Sequence, residues 1–334
     1  MKSQSFHAGN FFKRALKCRD TETFHRLALE LFRYQSQHVP VYRDYLRLLK
    51  KNPEQISDAT QIPHLPVTLF KSHSVVSDEQ EALFHFSSSG TTGQITSKHF
   101  VPDLTLYEES FMSGFRHFYG DPGQYCFLAL LPSYLERQGS SLVYMANKLI
   151  AESRHPFSGF YLHNYDELRQ KLTSLKDSER KIFLLGVTYA LLDLLEQPLN
   201  LSGAIIMETG GMKGKRREMI KEELHQKLKQ QSGVDAIHSE YGMTEMLSQA
   251  YSKGNGIFQC PPWLQVQIAE IHDPFAKTPE GVTGVVQVTD LANIYSCAFI
   301  TTQDLGRMNS AGQFEIMGRM DDSELRGCNL MADQ

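Results

Sequence analysis

Residues 87–93 read Ser-Ser-Ser-Gly-Thr-Thr-Gly, hydroxyls and glycines run together directly after the stretch Phe84-His85-Phe86. A loop of that composition can turn its backbone N–H groups inward around an anion, which makes phosphate the ligand it suits. It is not the Walker loop, because Gln94 rather than lysine follows Gly93. Nor does the chain contain G-x-G-x-x-G, so a dinucleotide fold gains no support. A Ser/Thr/Gly cluster is also what an ordinary surface turn is made of. Three later segments carry groups able to do chemistry: HSEYGMTEM (238–246), FITTQDLGRM (299–308) and EIMGRMDDSELRGCNL (315–330). Carboxylates hold cations or accept hydrogen bonds from sugar hydroxyls, and a thiolate attacks an activated acyl group. Taken singly, Glu245 reads equally as a glutamate in the first turn of a helix. Asp304 reads as a turn residue ahead of Gly306, and Tyr241 as a packing aromatic.

Positioning such groups takes a frame, and the hydrophobic pattern predicts one. Phe24, Leu27, Leu31 and Phe32 recur at helical spacing, so the N-terminal part is helical. Pro40 interrupts that helix and VYRDYLRLL resumes it, while Pro63 and Pro66 force an extended connector. QYCFLALLP (124–132), RKIFLLGVT (180–188) and LSGAIIMETGG (201–211) are short apolar runs bounded by turn residues, as buried parallel strands are. Between them, SSLVYMANKLIAE and TYALLDLLEQ read as helices. KRREMIKEELHQKLKQQSG reads as another, with Met219, Ile220, Leu224 and Leu228 on one face and Gly233 as its stop. Strand–helix alternation of this kind implies an α/β fold. After residue 256 the texture changes: Leu264, Val266 and Ile268 alternate, and EGVTG turns the chain toward VVQVTD and QFEIMG. That is a small β-rich subdomain.

The order and separation of the four segments resemble the adenylate-forming superfamily of acyl- and aryl-CoA ligases, luciferases and peptide-synthetase adenylation domains. There S-S-G-T-T-G is followed by Y-G-x-T-E, T-G-D-L and G-R-x-D; here stand Ser88 to Gly93, Tyr241 to Glu245, Thr302 to Leu305 and Gly318 to Asp321. IPHLPVTLFKSH, LPSYLERQGSSLVYM, TGGMKGKRRE and SELRGCNL narrow the resemblance to the acyl-protein synthetases of the LuxE type, from about residue 60 onward. The resemblance implies ATP and Mg²⁺ as cofactors and a carboxylic acid, of fatty acyl type, as substrate. It implies that Ser88, Ser89, Gly90, Thr91, Thr92 and Gly93 grip the β- and γ-phosphates. Thr244 beside Gly242 would meet the α-phosphate and Glu245 the metal. Tyr241 would lie against adenine, with Gly210 and Gly211 walling the other side, and Asp304 and Arg319 would reach the ribose or phosphate. The acyl group would pass to Cys328, then to a partner reductase or an acyl carrier. Alternatives from the same residues are a compact acyl- or aryl-CoA ligase that uses another chain's lid, and a non-catalytic subunit that binds acyl groups or a partner.

The implied architecture is the large N-terminal domain of an adenylate-forming enzyme, with parallel and mixed sheets, flanking helices and a β-rich subdomain. On this resemblance the usual C-terminal lid would be lacking. Residues 1–318 would be the core (1–65 helical, 66–255 α/β, 256–318 β-rich), and 319–334 a truncated hinge and tail. Two departures stand out: Gln303 replaces the glycine of T-G-D, and Lys98 lies five residues past Gly93 where the family has a lysine three past. The basic run KGKRRE (213–218) reads as solvated lysines and arginines or, more sharply, as a contact for an anionic ligand or partner. Composition bounds the rest. A net charge of −4 argues against a general nucleic-acid binder. No apolar run approaches the roughly 18–20 residues of a membrane span, and the N-terminus lacks the apolar block of a secretory signal. Five scattered cysteines make neither a disulfide framework nor a zinc site and suit a reducing cytoplasm. Cys126 and Cys297 sit in apolar surroundings as core residues, and Cys328 is the cysteine in a polar, terminal setting.

Overall fold

Apolar runs too short for helices become strands covered on both faces. The computed structural model describes residues 6–81, 84–88, 96–132, 139–176, 178–210 and 219–320. They form two units, one of residues up to Glu81 together with those from Pro262 onward, the other Ala82–Pro261.

In the unit 82–261, five strands run parallel in the order Ile237–Tyr241, Ile205–Thr209, Lys181–Val187, Tyr125–Leu130, Gly159–Phe160. Every residue of Tyr125–Leu130 is buried, as is every residue of Lys181–Val187 except the first, as a parallel sheet covered by helices requires. Ala250–Ser252 adds antiparallel to Ile237–Tyr241, and Ile257–Gln259 pairs with Ala250–Ser252. A separate hairpin pairs His85–Ser87 with Lys98–Phe100. Helix Leu104–Tyr119 starts at Asp103, whose side chain caps Thr105 N. Helix Lys221–Ser232 ends at Gly233 in the left-handed conformation.

One expectation needs correcting. Leu224 and Leu228 are buried as the periodicity predicts, but Met219 and Ile220 precede this helix and Ile220 is 69% exposed. The helix begins where Glu222 and Glu223 can occupy its first turn, the end where negative charge is favoured.

In the other unit, Leu264–Ala269, Gly284–Asp290, Phe299–Met308 and Phe314–Arg319 form an antiparallel succession. The alternation at Leu264, Val266 and Ile268 is real, since all three are buried. The connector's Leu65–Pro66 pairs parallel to Ile300–Thr301. Helices Ala8–Leu16, Thr21–His38 and Pro40–Leu48 belong to the same unit. A fully buried Gln35 holds the second of these to the chain's far end. Its Nε2 donates to the carbonyls of Asn293 (2.7 Å) and Ile294 (2.9 Å), and its Oε1 accepts from Ala298 N (2.9 Å). Buried backbone groups must be paired, and one amide here pairs three.

Candidate active site

Two candidate segments leave the carboxyl ends of adjacent parallel strands. Gly210 follows Ile205–Thr209, and Tyr241 closes Ile237–Tyr241 with Gly242, Thr244 and Glu245 directly after it. Ligands of open α/β sheets bind outside those strand ends. Gly210 has φ +68°, a conformation that favours glycine, and its carbonyl accepts from Thr188 Oγ1 at 2.8 Å. Tyr241 is buried edge-on to Phe258, ring centroids 5.9 Å apart. Glu245 is 5% exposed and lies in a turn closed by Met246 N donating to the Met243 carbonyl, not in a helix.

The base of the Ser/Thr/Gly loop belongs to the same unit. Ser88 N donates to the Ser97 carbonyl (3.1 Å), and Ser97 N donates to Ser88 Oγ (2.9 Å). Ser89, Gly90, Thr91, Thr92 and Gly93 lie outside the described residues, as do Gly211, the run 213–218, Asp321 and Cys328. From the loop's hairpin, His99 Nδ1 reaches the Thr244 carbonyl at 2.8 Å, and helix Leu104–Tyr119 meets the chain two residues past that turn through Ser110 Oγ and Ser248 Oγ, 2.9 Å apart. Sequence reasoning missed His99 and Thr188. His99 stands six residues past the motif run, and its partner, 145 residues away, leaves no local trace.

Two acidic side chains sit beneath these strand ends with opposite electrostatics. Burial works against a charge on Glu208, yet Lys221 Nζ at 3.0 Å, His225 Nε2 at 3.5 Å and Ser239 hold it down at about 2. Glu240 accepts from Thr209 Oγ1 at 2.6 Å, but burial and the neighbouring Glu208 charge push it up to about 7. Its Oε1 would lie 2.6 Å from a Cβ built on Gly242, so only glycine fits there without displacing the carboxyl.

The Glu240 shift has a stability consequence. Between its ordinary 4.5 and about 7 the folded chain keeps a proton that the unfolded chain releases. Stability therefore falls as pH rises through that window, by at most about 1.4 kcal/mol per pH unit. Glu240→Gln keeps an acceptor for Thr209 and removes the ionisation. Burial also holds His64 and His238 down to about 4, which raises stability with pH in parent and variant alike. The test is therefore the difference: urea midpoints should show the parent losing stability relative to the variant as pH rises through the window, and equal slopes would refute this origin.

Asp304 and Arg319 belong to the other unit, which the structure pairs directly across strands Phe299–Met308 and Phe314–Arg319. Asp304 N donates to Thr302 Oγ1 (3.0 Å), and Arg319 Nη2 lies 3.4 Å from Oε1 of Gln303, the residue that replaces the motif glycine. Asp304 is thus a strand residue rather than part of a turn. A cavity of about 420 Å³ in this unit is floored by Phe24, Val266 and Ile268, and none of the candidate residues lines it.

Among the described cysteines, Cys126 and Cys297 are fully buried, and burial pushes their thiols up to about 11 and about 12. Both are core residues, as expected, and neither offers a thiolate near neutral pH. Among the described residues no three His, Cys, Asp or Glu side chains form a metal-holding group. A metal beside Glu245 would draw most of its ligands from phosphate and water, which is how Mg²⁺ is commonly bound. No helix among the described residues is long and apolar enough to cross a membrane.

No family model matches the chain, and no curated protein matches it in sequence. Its likeness to known proteins is structural. A 2-hydroxyisobutyryl-CoA ligase in complex with 2-HIB-AMP and CoA, in the thioesterification state, is similar over 91% of this chain and 70% of its own, with TM-score 0.68 and 16% identity. The same ligase in the postadenylation state with R3-HIB-AMP covers 93% and 70%, with TM-score 0.68 and 15% identity. ATP-bound MatB from Rhodopseudomonas palustris is similar over 73% of this chain and 50% of its own, with TM-score 0.52 and 18% identity. The chain spans about half the length of the MatB structures it matches. Its fold, a mixed α/β architecture with flanking helices, is that of the large N-terminal domain of adenylate-forming enzymes, as the sequence motifs predict.

Proposed function

We propose that this chain activates a carboxylic acid with ATP, forming an acyl-adenylate and releasing pyrophosphate, and then passes the acyl group to a thiol with release of AMP. The observation that carries the reading is the placement of Gly210 and Tyr241–Glu245 at the carboxyl ends of adjacent parallel strands, with the base of the Ser/Thr/Gly loop tied to the same turn. A carboxylate is a poor acyl donor because its leaving group is an oxide; joining it to AMP creates an anhydride that a thiolate can attack. MgATP supplies the adenylyl group and the charge neutralisation its transfer requires. The chain's own work is to bind and orient.

In this reading Ser88 to Gly93 bind the β- and γ-phosphates, Thr244 the α-phosphate, and Glu245 the Mg²⁺. Tyr241 with Gly210 and Gly211 takes the adenine, Asp304 the ribose hydroxyls, and Arg319 the same sugar or the phosphate. The ligases similar in fold support a thiol acceptor, one of them being complexed with both an acyl-AMP and CoA. The resemblance to acyl-protein synthetases adds the finer proposal: a fatty acid as substrate, Cys328 as acceptor, and a partner reductase or carrier beyond it, in the cytoplasm.

Pyrophosphate release, measured with ATP, Mg²⁺ and a panel of fatty, hydroxy and aromatic acids, followed by intact mass of the protein, tests both levels. Acid-dependent release with an acyl adduct that vanishes in Cys328→Ala is the expected result. Release without an adduct moves the acceptor to CoA or a partner thiol. Nucleotide binding without release from any acid refutes catalysis by this chain alone and leaves a subunit that binds.

A further inference from the structure

We propose that Thr188 is a positioning residue: its hydroxyl holds the Gly210 carbonyl, and with it the backbone edge that reads the base of the bound nucleotide. The inference rests on the adenylation reading and adds to that site a buried residue that none of the four motifs contains.

Strands Lys181–Val187 and Ile205–Thr209 end level with one another, Val187 standing opposite Thr209 in the parallel ladder. Past that point each chain leaves the sheet. Thr188 opens helix Thr188–Leu194, and Gly210 turns away with φ +68°. A hydroxyl in the first turn of a helix ordinarily serves backbone groups of its own segment. Thr188 Oγ1 instead crosses to the neighbouring strand end and donates to the Gly210 carbonyl at 2.8 Å. Glu208 Oε2 lies farther from the same oxygen, at 3.3 Å, so the shorter bond takes the hydroxyl proton. Thr188 is 2% exposed, whereas Gly210 is exposed. The hydroxyl is closed to a ligand, and the residue it holds is open to one.

A carbonyl oxygen has two lone pairs and no proton. Thr188 takes one pair and so fixes the plane of the Gly210 peptide. The other remains at the carboxyl end of the sheet, where ligands of open α/β sheets bind. An acceptor fixed there discriminates between purines at the 6-position. Adenine presents an amino group, which donates. Hypoxanthine presents a carbonyl, which would face the Gly210 oxygen as a second acceptor. A site that hydrogen-bonds a ligand N–H rejects the analogue lacking it more strongly than packing can. Without the Thr188 hydroxyl, the Gly210 peptide, which lies beyond the strand, is free to turn, and the discrimination goes with it.

AMP and inosine monophosphate differ only at that edge of the ring. Calorimetric titrations of the full chain with each, and with MgATP, should show the parent preferring AMP by about tenfold or more, a difference of about 1.4 kcal/mol. Thr188→Val keeps the shape and removes the hydroxyl, and should bring the preference close to unity by weakening AMP. Thr188→Ser restores the hydroxyl and should restore the preference. A role in stability alone would lower both affinities together, or neither, and leave their ratio unchanged. A parent that binds AMP and inosine monophosphate alike, a preference that survives in Thr188→Val, or Thr188→Ser behaving like Thr188→Val overturns the proposal and leaves adenylation standing. A parent that binds neither ATP nor AMP overturns the adenylation reading and this inference with it. A second measurement needs no variant to fold. Gly210–Gly211 is the chain's only pair of consecutive glycines, so glycine labelled with carbon-13 at the carbonyl and with nitrogen-15 gives the Gly210 carbonyl a unique coupled signal. Its shift should move farther with saturating AMP than with saturating inosine monophosphate; equal movement with both, or none with AMP, also overturns the proposal.

Discussion

Glu245→Gln should leave the chain folded and lower acid-dependent pyrophosphate release by roughly 10²–10³-fold. The substitution preserves size and the ability to accept a hydrogen bond, so the turn closed by Met243 and Met246 loses no packing. What it removes is one negative charge at a position only 5% exposed. In a site screened from water, a charge aimed at a metal–phosphate complex acts more strongly than the same charge on the surface. Glutamine would still bind the nucleotide weakly but hold its cation poorly, so the apparent Mg²⁺ requirement should rise and saturating Mg²⁺ should restore only part of the rate. Glu245→Asp keeps the charge and withdraws it by one methylene, so it should fall between the two. Release by Glu245→Gln at the parent's rate and Mg²⁺ dependence would remove Glu245 from the chemistry and return it to a buried structural role.

The frame that holds this turn was legible in the sequence wherever both faces of an element are buried. Tyr125–Leu130 and Lys181–Val187 announce themselves as uninterrupted apolar runs because no face of them meets water. Gly233 marks the end of its helix through its backbone alone. Legibility fails where the determining contact is distant. Nothing local shows that Gln35 satisfies backbone groups near residue 295, or that Thr188 takes the carbonyl of Gly210. Asp304 and Arg319 were both chosen from motifs, yet their placement opposite one another depends on the register of two strands and the turn between them. Ile220 was misplaced because helical periodicity continues through residues that lie before the helix starts, and only the acidic first turn marks the true beginning. The motif letters thus identified candidate groups, while the hydrogen bonds that fix their backbones came from the fold.

Lys221→Met should destabilise the chain by about 3–5 kcal/mol, the usual cost of removing one partner from a buried ion pair. Glu208 is 4% exposed on its side chain and Lys221 is 28% exposed, with Nζ 3.0 Å from Oε1. The same Nζ lies 4.8 Å from the centre of the Phe258 ring, so the cation also has an aromatic face to rest against. Methionine retains much of the aliphatic packing against that ring and leaves Glu208 with His225, 3.5 Å away, as its remaining basic neighbour. The pH dependence then identifies the cause. Because Glu208 is held at about 2, below its ordinary 4.5, its contribution is fully present above 4.5 and is lost as pH falls toward 2. The gap between parent and Lys221→Met should accordingly be widest near neutrality and should close under acid. Adding Glu208→Gln to Lys221→Met should recover most of the loss, since an uncharged pair leaves no buried charge to compensate. Urea unfolding of the parent and the two variants across that range measures all of this. A gap that does not change with pH, or a double variant no better than the single one, would place the effect in side-chain packing. The pair joins strand Ile205–Thr209, two residues before Gly210, to the first residue of helix Lys221–Ser232. The double variant should therefore regain stability without regaining the parent's affinity for nucleotide, because the direct link between strand end and helix start is gone.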